Sequence, residues 1–161
     1  MSITPKKIIS NFDLILSGLF LCITVLVVIV NVTLRYAFQG GIFWAEEIST
    51  SSFIWSVFIG AAAAYRYKMH IGIDFVTRFG PRAWKAFITV IIDALMCTIN
   101  GYIVYLSVLF IQANKLKRTP VLDIPAIYVN LALTVGFSLI TAYAFYFFIR
   151  DIGKMFKSSE G

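Results

Sequence analysis

Four long stretches of apolar residues, each bounded by charge, constrain this chain more than anything else in it. The first runs uncharged from Leu14 to Leu34. As a helix it is roughly 30 Å long, enough to cross the hydrocarbon of a bilayer. The second runs from Ile48 to Tyr65, the third from near Trp84 to about Asn114 with Asp93 as its one interruption, and the fourth from Ile124 to Ile149. Of the 161 residues, 60% are hydrophobic and 14% charged, against about 25% charged in soluble domains. So much apolar surface has no place inside a domain this small and needs lipid. The fold expected is all-α and integral to the membrane: one domain over residues 1–161, with spans at about 13–35, 45–65, 84–112 and 124–149.

Lys6 and Lys7 precede the first run, as in a secretory signal, but that run is too long for one and no small-residue cleavage site follows. It reads as a retained span. Pro125 falls in the first turn of the fourth run, where proline is tolerated.

The net charge of +6 does not point to nucleic acid, because the basic residues are spread between the apolar runs. With the N-terminus inside, ten of the 14 basic residues face the cytoplasm, and only Arg35, Lys115, Lys117 and Arg118 face outward. That asymmetry predicts both termini in the cytoplasm. Tyr143, Tyr146, Phe147 and Phe148 fall near the inner end of the fourth span, where aromatics anchor helices among headgroups. Between spans two and three, Ile71, Ile73, Phe75, Val76 and Phe79 mix with Lys68, Arg78 and Arg82. This suits either a short amphipathic helix lying on the inner leaflet or a solvated loop.

Ser52, Ser56, Gly60 and Ala64 recur every four residues on the second span. Small residues at that spacing let another helix approach closely, either within the bundle or as a docking face for another protein. Glu46 and Glu47 sit where the second helix begins and favour its dipole, with Arg35 as an ionic partner across the outer connection. Asp93 lies inside the third run with Cys97, Asn100 and Ser107 on one helical face. A carboxylate at that depth is either a functional group or a structural one near the inner boundary. Asn31, Asn100 and Asn130 are expected to bond between helices. Cys22 and Cys97 read as reduced core residues without zinc-type spacing. His70, the single histidine, excludes paired haem ligands from within the chain. No nucleophile, metal-ligand set or phosphate-binding loop suggests an enzyme.

The most specific stretch reads Asn31-Val32-Thr33-Leu34-Arg35-Tyr36-Ala37-Phe38, then Trp44-Ala45-Glu46-Glu47, then Trp55, Phe58, Gly60 and Ala61, closing with His70-Ile71-Gly72-Ile73-Asp74. It resembles the small membrane (Q) subunit of tripartite ATP-independent periplasmic (TRAP) transporters. The resemblance implies an inner-membrane protein working beside a large membrane subunit and a periplasmic binding protein that captures an organic acid, of the sialic acid or C4-dicarboxylate class. The large subunit would hold the sodium and substrate sites and move like an elevator, and the small one would widen its fixed scaffold. It implies no cofactor in this chain, sodium at the large subunit, and room for a phospholipid between the two. Since no large-subunit sequence follows Gly161, the chain is expected to be a separate subunit. By the same resemblance Arg35, Trp44, Glu46, Glu47, Trp55, His70 and Asp74 are the positions of interest. The first, third and fourth would hold the outer ends of the first two helices or touch a partner, and His70 and Asp74 would order the inner connection. Two readings of other classes remain beside it: a self-sufficient proton-coupled transporter of the multidrug type using Asp93, and a membrane anchor for a redox enzyme.

Overall fold

The computed structural model describes residues 11–38, 40–67 and 82–158, with side chains from 88 to 153 in the last of these. Four helices account for nearly all of it: α1 (Phe12–Ala37), α2 (Ala45–Arg66), α3 (Arg82–Ala113) and α4 (Ile127–Ser158). All four are long and apolar enough to cross a membrane. A helix satisfies its own backbone, which hydrocarbon requires of any spanning segment. The chain is an all-α, multi-pass membrane protein.

Helix neighbours follow the order α1, α2, α4, α3. α1 and α2 form one hairpin, α3 and α4 the other, and α2 packs on α4 to join them. α1 and α3 are therefore the two edges of a row. Glu47, at the start of α2, bonds the connection that leads into α4, and Tyr65 and Phe147 stack near the far ends of the same two helices, 6.2 Å between ring centroids. The two central helices thus run parallel.

The residues of α2 explain its central place. It buries Ala45, Ser49, Ser52, Ser56, Ala62 and Ala63, side chains short enough for neighbours on both sides to come close. On the α1 side, a β-carbon at Gly60 would meet Ser17 Oγ at 3.1 Å, and Trp55 stacks on Phe20 with centroids 5.8 Å apart. On the α4 side, Gly136 lies directly against Phe58. The apolar core sits between α2 and α4, where Ala62, Tyr65, Ile140, Ala144 and Phe147 pack together and Met96 and Cys97 of α3 close it. The second hairpin is also joined by Thr134, whose hydroxyl donates to Ser107 Oγ at 3.0 Å.

In the small-residue stripe Ser52 and Ser56 are buried, Gly60 faces Ser17, and Ala64 is exposed. Several expectations are corrected here. Phe147 is a core residue and Tyr143 bonds a carboxylate, while Tyr146 keeps the exposed position expected of the group. Cys22 is on the outer surface of α1. The fourth helix starts at Ile127, after Pro125, which pairs with Arg118 in an isolated β-bridge. Among the described residues, Asn31 and Asn100 form no bond between helices. Asn31 accepts from Ile42 N at 2.9 Å, and Asn100 donates to Met96 O one turn back. A side chain that reaches its own helix's carbonyl is satisfied without a neighbour. The amphipathic segment between the second and third spans lies outside the described residues.

Candidate functional site

The polar chemistry of the chain collects at the two ends of the row. At one end a connection of ten residues, 117–126, is folded into a small ordered unit. Thr119 N donates to Ile124 O at 2.9 Å, Ile124 N returns to Thr119 Oγ1 at 3.1 Å, and Ala126 N donates to Lys117 O at 3.0 Å. Asp123 turns the chain in the left-handed region, φ 53°, where aspartate is among the better tolerated residues. Arg118 grips Asp123 through its carboxylate at 2.9 Å and its carbonyl at 3.2 Å. This pair is exposed and contributes little by itself.

Glu47 ties this unit to α2. Its Oε2 accepts from Val121 N at 3.0 Å and Leu122 N at 3.1 Å, two consecutive amides that would otherwise need water. The consequence is a groove of about 560 Å³ between the start of α2 and the connection, lined by Phe43, Glu46, Thr50, Lys117, Thr119 and Asn130 among others. Glu46 faces it from the exposed side of the helix. Trp44 precedes α2 and borders a smaller apolar recess with Leu26, Val30 and Ile42. Arg35 is exposed and forms no ion pair with any described residue. The pairing expected between Arg35 and the two carboxylates is therefore corrected: Glu47 is spent on backbone amides of the second hairpin.

At the other end Asp13 is buried and joins three helices. Arg66 of α2 donates to Asp13 Oδ1 at 2.7 Å, and Tyr143 of α4 donates to Oδ2 at 3.3 Å. Asn11 Oδ1 accepts from Tyr67 at 2.7 Å and from Arg66 at 3.3 Å, and the Arg66 guanidinium lies over the Tyr67 ring, 4.8 Å from its centroid. A charge held at a membrane boundary needs such partners. Sequence reasoning missed this cluster. In the sequence Asp13 stands just before the first apolar run and Arg66 just after the second. A carboxylate and a guanidinium at the facing ends of two antiparallel spans are the signal that was available.

Asp93 is buried on α3, 6% exposed, within electrostatic reach of Tyr65. Trp55 is an α1–α2 packing residue. His70 and Asp74 lie outside the described residues. Among the described residues, no group of three or more histidine, cysteine, aspartate or glutamate side chains is placed to hold a metal ion.

A row of four apolar helices, tied by polar contacts at both ends, defines a multi-pass membrane protein. Residues 24–154 match the family described as tripartite ATP-independent periplasmic transporters, DctQ component, and the chain belongs to that family. It is 33% identical over 110 residues to a TRAP transporter small permease protein of Haemophilus influenzae, covering 65% of this chain and 68% of that one. Over 131 residues it is 22% identical to the sialic acid TRAP transporter small permease protein of Vibrio cholerae, covering 81% and 76%. The C4-dicarboxylate TRAP transporter small permease protein of the same organism is 33% identical over 66 residues, 41% of this chain and 28% of that relative.

Proposed function

We propose that this chain is the small scaffold subunit of a sodium-coupled importer of an organic acid, of the sialic acid or C4-dicarboxylate class, delivered by a periplasmic binding protein. It holds the fixed part against which an elevator-type large subunit moves. It lies in the bacterial inner membrane with both termini in the cytoplasm. Sodium belongs to the large subunit, and a phospholipid has room at the boundary between the two chains.

The observation that supports this reading most is how the helix row is tied. Family membership supplies transport, and the two central helices, fastened to each other at Gly136 and at both ends by Glu47 and Asp13, supply rigidity. Rigid packed elements suit the stationary side of a sliding pair. The substrate classes come from the names of the two Vibrio cholerae relatives.

Purification of the tagged chain in mild detergent from its native membrane, with mass spectrometry of what accompanies it, is expected to yield a stoichiometric large membrane protein. Liposomes holding that protein with and without this chain then test the scaffold role. Full sodium-driven uptake by the large subunit alone would remove it.

A further inference from the structure

The two edges of the row differ in chemistry. The outward face of α1 presents Leu19, Val25, Leu26 and Ile29, a surface that acyl chains satisfy completely. The outward face of α3 presents Ile91, Leu95, Thr98, Tyr102, Tyr105 and Leu109. Their spacing alternates four and three, the seam along which one helix seats against another. The Thr98 hydroxyl is satisfied by Ala94 O at 2.9 Å. The two tyrosines are not: both are about 60% exposed, they lie side by side with ring centroids 6.4 Å apart, and no hydrogen bond reaches either hydroxyl from the described residues.

Their depth makes this costly. α3 is Arg82–Ala113, and from the midpoint of the span read in the sequence, about 84–112, Tyr102 and Tyr105 stand about 6 and 10 Å away at ~1.5 Å rise per residue, within a hydrocarbon half-thickness of roughly 15 Å. Helical side chains lean toward the N-terminal end of their helix, which carries the Tyr105 hydroxyl back toward mid-bilayer. Tyrosines facing lipid belong at the headgroup level, and a hydroxyl without a partner in hydrocarbon is penalised. Lipid tails offer no acceptor at that height, whereas a protein helix with a freed carbonyl or a polar side chain does.

We propose that the α3 edge is the docking face for a membrane-spanning helix of the large subunit, one that offers oxygen acceptors near mid-bilayer to Tyr102 and Tyr105, while the α1 edge faces lipid. This rests on the reading of the chain as a small permease subunit.

A photo-crosslinking phenylalanine derivative is placed in turn at Tyr102, Tyr105 and Leu26 of the full chain, expressed in native membranes with its partner genes. Illumination is expected to join the chain to a large multi-span protein from the first two positions and not from Leu26. A large adduct from Leu26 with only lipid adducts from the tyrosines overturns the face assignment and leaves the subunit reading standing. An adduct at twice the mass of this chain assigns the edge to a second copy and overturns the proposal. If no position yields a protein adduct and no large subunit co-purifies, the subunit reading falls with it. In parallel, Tyr102→Phe and Tyr105→Phe keep both rings and remove one hydroxyl each. Recovery of the large subunit is expected to fall about threefold for each, the usual worth of a hydrogen bond between spanning helices. Unchanged recovery from the double variant would overturn the hydrogen-bonded seat.

Discussion

Gly136 and Phe58 meet at the backbone: a β-carbon at Gly136 would stand 2.7 Å from Phe58 Cβ and 2.9 Å from the Phe58 carbonyl oxygen. Because α2 and α4 form the main helix–helix junction between the hairpins among the described residues, this contact sets how closely the halves approach. Gly136→Ala puts an atom where backbone already is, so no side chain can swing aside. It is expected to lower stability by about 1–3 kcal/mol, as overpacking does, and Gly136→Leu to prevent the halves from closing. Thermal unfolding in detergent checks this. An unchanged melting curve for Gly136→Ala would mean that the hairpins separate freely.

The ion pair of Asp13 and Arg66 is mostly hidden, with side-chain exposures of 8% and 18%. Removing one partner strands the other. Asp13→Leu or Arg66→Met alone is expected to destabilise by ~3 kcal/mol or more. The double variant, which leaves no stranded charge, is expected to recover part of the loss. Folded yield and melting temperature across the cycle read this out. Simple additivity of the two single losses would show that the pair is not coupled.

The four spans were legible because hydropathy reports burial in lipid directly. The site was less legible. The Glu47 partners are backbone amides 74 and 75 residues away, and no residue type at 121–122 advertises a free amide. Arg35 looked like a partner because it is close along the chain, but distance along the chain says little about which hairpin a side chain will reach. The stripe at Ser52, Ser56 and Gly60 gave the close approach and not its partner. Only packing tells an inner helix face from a docking face.

Glu47 is expected to set the order of the 117–126 connection. Glu47→Ala leaves the Val121 and Leu122 amides to solvent, and hydrogen exchange there is expected to quicken by about tenfold or more. Glu47→Gln keeps a carbonyl acceptor and is expected to fall between the two. The helical amides of α3 and α4 serve as internal controls. Equal exchange in all three proteins would show that the connection holds itself together through Thr119, Ile124 and Ala126 alone.

The orientation expected from the charges is open to direct measurement. Lys115, Lys117 and Arg118 sit at the Glu47 end of the row, and Arg66 and Arg150 at the Asp13 end. By sequence, ten of the 14 basic residues fall in the N-terminal segment, the segment between the second and third spans and the C-terminal segment, an asymmetry that predicts the Asp13 end to be cytoplasmic. A fluorescent protein that matures only in the cytoplasm is therefore expected to glow when fused after Gly161, and a phosphatase that folds only in the periplasm to stay inactive there. Inserted after Leu116, which is 96% exposed, the two reporters are expected to exchange behaviour. The reverse pattern would place the Glu47 groove in the cytoplasm, out of reach of any periplasmic binding protein, and would overturn the proposed orientation.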